Sequence, residues 1–364
     1  MIKLPTLKTL CLDNCSNITF SDEICSSIII LKIFYCDFPP SNSLFVLPEL
    51  EECKIECKTD KEKIINLFDS KKLRVLKISE DLFLELDNIP LESIEIPFSV
   101  NSSKEKEIKL IKKILLMNTL KNAELNFRLV SGEDILKIEG VNTSLTSLSI
   151  YSKDLVFYNL YKMFPNLLKI NISGENYGKK ESSLTLIEIK EISDSKINDI
   201  FLDSLKCTYI FNCGLFENLI SVTLHFPYSK IGNITECFPI FSPKSKTIFK
   251  SLKFLEFLYS YPTNSDIVKN IMNNFDNMPK LEYFHCTISV KSISHKLYLN
   301  FIEKALSMNL RYVSIYISIN KENVAKTHML SENELRKMFP KIKFPKKLSI
   351  VNIKSLNSSD CLII

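Results

Sequence analysis

The sequence predicts an α/β solenoid, in which short parallel strands stack coil upon coil and helices or loops connect them. The first observation is a pattern of aliphatic residues, L-x-x-L-x-L, that recurs through the chain of 364 residues. The second is a set of helix-start signals between copies of the pattern. The third is the scarcity of glycine: six residues cannot form the glycine-rich loop of a dinucleotide-binding domain.

The aliphatic pattern is most regular near the N-terminus, where copies begin at Leu7, Ile28, Leu50 and Leu73. Alternate residues of a strand point the same way, so the last two positions of each copy share one side. One coil cannot bury that side alone, but stacked coils bury it continuously. Further copies begin at Leu91, Leu120, Leu145, Leu167, Leu184, Leu219, Leu252, Leu281, Leu310 and Leu348, with a weaker copy at Leu205.

The repeats resemble those of the leucine-rich repeat family, whose consensus continues with Asn or Cys three residues after the last leucine. Cys15, Cys36 and Cys213 match that position. The irregular later spacing is similar to the ribonuclease-inhibitor-like and F-box-associated subtypes. The resemblance implies a curved horseshoe with a parallel sheet on its concave side and helices or loops on its convex side. We expect one solenoid of about 14 repeats over residues 1–356, followed by a short flexible tail over 357–364.

Several connecting segments read as helices. Capping boxes of the form S/T-x-x-E predict their first residues, and residues three or four apart predict their buried faces. The boxes begin at Thr59, Ser102 and Ser331. The predicted faces comprise Ile108, Ile111 and Leu115 in one helix, and Ile267, Ile271 and Phe275 in another.

Signals of catalysis are weak throughout the sequence. The segment from Gly174 to Lys180 is one residue shorter than a P-loop and lacks the following Ser or Thr. The zinc-protease pattern H-E-x-x-H and the hydrolase pattern G-x-S-x-G do not occur. The spacing of Cys11 and Cys15 does not fit a zinc knuckle. The sequence therefore predicts no enzyme, no cofactor, no metal and no small-molecule substrate.

Residues beside the buried strand positions should face the concave surface, where solenoids bind their partners. In the early repeats these residues are charges of both signs, whereas in the later repeats they are aromatic or histidine. Such side chains are frequent in binding hot spots, so we expect a protein partner here, centred on Tyr283 and Tyr312. The alternative is that aromatic residues simply favour strands. The predicted set is Tyr209, Phe211, His225, Phe254, Tyr283, His285, Tyr312 and Tyr316.

The net charge of +5 is carried entirely by the C-terminal part of the chain. From Lys321 to Ile364 there are nine Lys and Arg against four Asp and Glu, which leaves the first 320 residues neutral. A nucleic-acid-binding protein carries its basic excess on a folded face. A local excess at one end instead predicts an electrostatic contact with an anionic membrane surface and no nucleic-acid partner.

The last four residues, Cys361-Leu362-Ile363-Ile364, form a C-a-a-X prenylation signal that a prenyltransferase would modify at Cys361. One lipid chain gives only marginal membrane binding, so a second signal is needed. Basic residues before the signal supply it. The alternative is a solvated polar cap with an accidental cysteine. The basic residues are Arg336, Lys337, Lys341, Lys343, Lys346, Lys347 and Lys354.

The sequence shows no secretory signal, and its 11 cysteines are typical of reduced thiols in the cytosol. We therefore predict a non-enzymatic scaffold, anchored by a prenyl group to the cytosolic face of a membrane, that binds a protein on its concave sheet. The alternative is a substrate-recognition subunit of an F-box type ubiquitin ligase. That family places an F-box before its repeats, but here a repeat already begins at Leu7, so this alternative requires that the chain be truncated and lack its N-terminal F-box.

Overall fold

A computed structural model of the chain divides into two compact units. Unit 1 comprises Met1–Lys153 and Asn159–Leu167, and unit 2 comprises Asp154–Tyr158 and Leu168–Ile364. The structure describes residues 7–16, 27–36, 45–56, 65–66, 71–78, 83–84, 89–97, 102–127, 129–130, 134, 137–152, 163–173, 196–203, 218–226, 248–290, 293–308, 310–319, 328–330, 332–342 and 347–353.

Unit 1 contains a parallel sheet in which each strand pairs with the next copy of the repeat. Two very short strands, β3 and β5, pair with each other outside this sheet. One helix, α1, covers Lys104–Leu116. The strands are β1 Thr9–Asp13, β2 Ile30–Phe34, β3 Phe45–Val46, β4 Glu52–Glu56, β5 Ile65–Asn66, β6 Val75–Lys77, β7 Ser93–Ile96, β8 Asn122–Phe127 and β9 Ser147–Ser152.

Unit 2 repeats this arrangement, and its described part has longer strands and more helices than that of unit 1. Its strands are parallel except β16, which pairs antiparallel with β17 at the edge of the sheet. The strands are β10 Lys169–Ser173, β11 Asp199–Asp203, β12 Ser221–Phe226, β13 Phe254–Thr263, β14 Tyr283–Val290, β15 Tyr312–Ile319, β16 His328–Leu330 and β17 Lys347–Ile353. The helices are α2 Asp266–Asn274, continued by a 3₁₀ turn over Phe275–Asn277, α3 His295–Ser307 and α4 Glu332–Met338.

One backbone hydrogen-bond pattern joins successive coils in both units. The carbonyl after the first leucine position of a repeat accepts two N–H groups from the start of the next strand. Lys8 accepts from Ile29 and Ile30 at 2.8 and 3.0 Å in unit 1. Lys253 accepts from Glu282 and Tyr283 at 2.9 Å in unit 2. Because the pattern recurs at the same repeat position, it fixes the register of neighbouring coils.

The aliphatic positions of the repeats form the core, as the period of two requires. Leu76 and Leu148 in unit 1, and Val222 and Ile315 in unit 2, are at most 1% exposed. The first strand is less covered, since Leu10 and Leu12 are partly exposed. The parallel ladder and this buried spine confirm the predicted α/β fold class of a leucine-rich-repeat solenoid. The prediction of one solenoid over residues 1–356 stays a prediction.

The predicted repeats were incomplete in unit 2. Strand β11 is formed by a copy at Ile197-x-x-Ile200-x-Leu202 that the sequence analysis did not include. The copies at Leu184 and Leu205 lie outside the described residues. The last copy was placed in the wrong register, because Leu348 pairs with Val313 and not with Leu310.

Helix α1 differs from its prediction at its start and on its face. Its first cap is Ser103, whose hydroxyl accepts the Lys106 N–H at 3.3 Å, so the capping box at Ser102 was one residue early. Its buried residues are Glu107, Leu110, Ile111, Ile114 and Leu115; Ile108 is only partly buried. The predicted face of α2 is confirmed, because Ile267, Ile271 and Phe275 are 1% exposed. The box at Thr59 lies outside the described residues, as does Ser331, although α4 begins just after it.

Candidate functional site

The solvent-facing side of the sheet in unit 2 carries a row of three aromatic rings. The strand register aligns Phe254 with Tyr283 and Tyr283 with Tyr312. Phe254 and Tyr283 are stacked with ring centroids 4.1 Å apart and planes within 10°. Tyr283 and Tyr312 are stacked at 4.4 Å and 5°. Each ring is partly exposed, so the row presents a rigid aromatic ridge.

Tyr283, the central ring, remains protonated well above neutral pH. Burial raises the pKa of its hydroxyl to about 12, and the neighbouring Tyr312 and Glu256 add to the effect. Burial also raises the pKa of Tyr316, which lies in another row of the same side. Both phenols are therefore neutral hydrogen-bond donors at physiological pH.

A polar cluster lies beside the aromatic row. His225 Nε2 is 3.3 Å from Glu256 Oε1, and this hydrogen bond lowers the pKa of the Glu256 carboxyl. Glu256 is aligned with His285 on the next strand. Burial lowers the pKa of the His285 imidazole, whose Nε2 lies 3.4 Å from the Thr287 hydroxyl. Phe201 packs edge-on against His225, with ring centroids 4.9 Å apart.

We call these solvent-facing side chains of β11–β15 the aromatic face. It unites six of the eight residues that the sequence predicted for partner binding: His225, Phe254, Tyr283, His285, Tyr312 and Tyr316. Tyr209 and Phe211 lie outside the described residues. Phe201 and Glu256 also belong to this face but were not among the predicted residues. The repeat copy at Ile197 would have indicated Phe201, and the central position of Leu255-x-Phe257 would have indicated Glu256.

The described residues of the aromatic face and of the layer beneath it include no reactive thiol. Cys286 lies beneath it, fully buried, and burial raises the pKa of its thiol far above the ordinary value, which leaves the sulfur in its unreactive protonated form. Across the described residues, no group of three His, Cys, Asp or Glu side chains is placed to hold a metal ion.

The corresponding side of unit 1 is covered by ion pairs, and we call it the ionic face. Glu52 receives Lys32 and Lys54, both at 3.3 Å. Lys77 lies between Glu56 and Glu95 and pairs with both. Burial opposes the charge of Lys77, but the two carboxylates outweigh it and raise the pKa of the ammonium group. The full set is Lys32, Glu52, Lys54, Glu56, Lys77 and Glu95.

The predicted membrane-binding residues are described only in part. Arg336 and Lys337 are exposed in the last turn of α4, and Lys341 is exposed just after it. Lys347 begins β17. Lys343, Lys346, Lys354 and Cys361 lie outside the described residues. Within the described part of the chain, every helix is too short or too polar to cross a bilayer.

Comparisons with known proteins identify similarity at the level of structure. No protein-family profile matches the chain, and no curated protein matches its sequence. Eleven solved chains match in structure. One is an internalin from Listeria monocytogenes, with a TM-score of 0.42 and 13% identity, over 86% of this chain and 82% of that one. The recurring repeat, the parallel ladder and the buried spine together make the chain a leucine-rich-repeat type of fold.

Proposed function

We propose that this chain is a non-enzymatic protein-interaction scaffold that binds a protein partner on its aromatic face. The observation that carries the proposal is the stack of Phe254, Tyr283 and Tyr312. Aromatic side chains bury a large area on binding. Because these rings already hold one another in place, they lose little side-chain entropy when a partner binds. Preorganised aromatic residues of this kind are typical of binding hot spots.

The charges of the aromatic face favour a protein over a nucleic acid. A nucleic-acid site needs several Lys or Arg side chains to replace the counterions of the phosphates. Among the described solvent-facing positions of β10–β15, Lys169 is the only Lys or Arg, and it already pairs with Asp199 at 3.2 Å. Asp199 and Glu256 are acidic and would repel phosphate. The face therefore suits a partner with apolar and basic groups.

The test compares capture of partners by the wild-type chain and by two double variants. Tyr283→Ser with Tyr312→Ser removes two of the stacked rings. Lys54→Ser with Lys77→Ser removes two charges from the ionic face and is the matched control. Each captured protein is then purified, and its dissociation constant is measured with all three chains.

We expect the aromatic double variant to lose its partner by at least tenfold in affinity, while the control binds like wild type. Circular dichroism melting of all three chains verifies that they are folded. If a folded aromatic variant binds every partner as wild type does, the proposal is wrong. Equal losses in both double variants would also contradict it, because binding would then not depend on the aromatic face.

We further propose that Cys361 is prenylated and holds the scaffold on the cytosolic face of an anionic membrane. The C-a-a-X sequence and the preceding basic residues support this part of the proposal. Mass spectrometry of the wild-type chain should detect one prenyl group, which Cys361→Ser abolishes and Cys11→Ser retains. Cys11 is a suitable control because its side chain is exposed in β1. An unmodified wild-type chain, or a modified Cys361→Ser chain, would overturn it.

The alternative function is substrate recognition within an F-box type ubiquitin ligase. It also uses the aromatic face for binding but requires a Skp1-like adaptor. Stoichiometric co-purification with such an adaptor would favour the ligase, and partner capture without an adaptor would favour the scaffold.

A further inference from the structure

We propose that the aromatic face binds an arginine side chain of its partner in a slot above Ser221. This inference rests on the proposed function and specifies the chemistry of the partner. The slot is defined by three aligned residues on neighbouring strands: Asp199 on β11, Ser221 on β12 and Phe254 on β13. All three are partly exposed on the solvent-facing side.

The dimensions of the slot follow from the strand spacing. Neighbouring strands lie about 4.8 Å apart, so Asp199 and Phe254 rise about 10 Å apart on either side of Ser221. Ser221 is short and leaves the space between them open on the sheet. This span leaves room above Ser221 for the end of one side chain of a partner.

The wall on the β13 side is the end of the aromatic stack. One face of the Phe254 ring is covered by Tyr283 at 4.1 Å. The other face is directed along the row toward Ser221, the aligned residue on β12. A cation placed over an aromatic face is attracted by the ring quadrupole, and a guanidinium stacks flat on such a ring better than an ammonium does.

The wall on the β11 side is an exchangeable carboxylate. Asp199 pairs with Lys169 at 3.2 Å, but the side chains are 32% and 52% exposed. Exposed ion pairs of this kind contribute little free energy. An incoming arginine can displace Lys169, because its guanidinium gains the attraction of the Phe254 ring in addition to that of the carboxylate.

The next row strengthens the negative potential of the slot. Thr223 follows on β12, with Phe201 aligned on one side of it and Glu256 on the other. The hydrogen bond from His225 lowers the pKa of Glu256 and keeps its carboxylate charged. The slot thus has a floor of small polar side chains, and an aromatic ring and a carboxylate on each wall.

The experiment selects twelve-residue peptides from a random displayed library on the immobilised full chain. We expect arginine to be enriched at one fixed position of the selected peptides. The best peptide is then synthesised with that arginine replaced by citrulline, which has nearly the same shape and no charge. Its affinity should fall at least tenfold, which corresponds to about 1.4 kcal/mol.

Three variants of the chain test whether the arginine of the peptide binds in the slot. Asp199→Asn should weaken the arginine peptide at least tenfold and leave the citrulline peptide unchanged. Lys169→Ala should strengthen the arginine peptide several-fold, because the competing cation is gone. Asp276→Asn is the matched control, since Asp276 also forms an exposed ion pair, with Lys304 at 2.6 Å, but belongs to the 3₁₀ turn after α2. Asp276→Asn should leave the affinities of both peptides unchanged.

The outcomes separate this inference from the proposed function. If peptides without arginine are enriched and lose binding to Tyr283→Ser with Tyr312→Ser, the scaffold stands and the arginine slot is wrong. If citrulline or Asp199→Asn has no effect, the slot is also wrong. If the selected peptides bind the aromatic double variant as well as wild type, the proposed function is overturned, and if they also bind Asp199→Asn as well as wild type, the slot is overturned with it.

Discussion

The ionic face of unit 1 and the aromatic face of unit 2 are built on the same backbone arrangement, but their side chains differ in chemistry. In both units, one carbonyl per repeat accepts two N–H groups of the next strand, and aliphatic side chains alternate into the core. On the solvent-facing side, unit 1 carries lysine–glutamate pairs, whereas unit 2 carries stacked rings. The residues between the buried positions are thus free to vary without changing the fold.

The two faces also differ in what a partner would gain. On the ionic face, each carboxylate of Glu52 and Glu95 is already paired with lysine, so a partner must replace existing ion pairs. Such exchange yields little free energy in water. On the aromatic face, a partner covers partly exposed rings and removes apolar area from water at about 25 cal/mol per Å². This difference favours the aromatic face for binding.

The largest expected effect is a loss of stability when the core under either face is truncated. Phe284 is fully buried and lies edge-on to Phe275 at 5.2 Å. We expect Phe284→Ala to lower the free energy of unfolding by about 3–5 kcal/mol and Leu76→Ala, under the ionic face, by about 2–5 kcal/mol. Urea denaturation measures both values. A loss below about 1 kcal/mol in either variant would contradict a shared dependence on the buried spine.

The second effect concerns the aromatic stack and should follow the number of ring contacts. Tyr283 lies between two rings, whereas Tyr312 has one described stacking partner. A ring pair contributes about 0.5–1.5 kcal/mol beyond its buried area. Tyr283→Ala should therefore destabilise the chain about twice as much as Tyr312→Ala in urea denaturation. Equal losses would show that the rings act independently and are not a preorganised unit.

Most of the fold could be predicted from the sequence, because the buried positions recur with a fixed internal spacing. The repeat at Ile197 was missed for a physical reason. In a chain with 45% hydrophobic residues, partial matches to the pattern arise easily, and the weaker match at Leu205, with Thr208 at its middle position, competes with the one at Ile197. The distinguishing feature is spatial: the Asn198 carbonyl accepts the N–H groups of Ile220 and Ser221 at 2.7 and 3.0 Å.

The aromatic face was predictable in its residues but not in all its contacts. Phe254, Tyr283 and Tyr312 each precede a buried strand position, so aligned repeats bring them into one row. The contact of His225 with Glu256 is diagonal between two rows and depends on side-chain rotamers. The register of β17 was not predictable either, because β16 pairs with it from the other side and the pairing with β15 shifts after Ser314.

A third effect should distinguish the two faces by their response to salt. Lys77→Met leaves Glu56 and Glu95 without the ammonium group between them. We expect a loss of about 1 kcal/mol at low salt. The loss should shrink at 1 M NaCl, where the Debye length is about 3 Å. The loss caused by Tyr283→Ala should persist, since ring stacking is not screened. Parallel urea denaturation series at two salt concentrations measure this, and an equal response of both variants would contradict the distinction.

The smallest expected effect is the pH dependence of stability that His285 confers on the aromatic face. Burial holds the pKa of His285 below its ordinary value of 6.5, against the attraction of Glu256. As the pH falls through 6.5, the unfolded chain gains a proton that the folded chain does not, so the folded state loses stability. Glu256 contributes in the same direction only below its ordinary pKa of 4.5, because its folded pKa is lowered.

The measurement follows the free energy of unfolding between pH 8 and pH 5, a window in which Glu256 is predominantly charged in both states. The groups that face His285 are Glu256 and His225, which act on its charge, together with the Thr287 hydroxyl. We expect His285→Asn to flatten the decline between pH 7 and pH 5 relative to wild type. Lys77→Met on the ionic face should keep the wild-type slope. An equal decline in His285→Asn would show that the pKa of the imidazole is unshifted, and a steeper decline would show that the attraction of Glu256 outweighs the effect of burial.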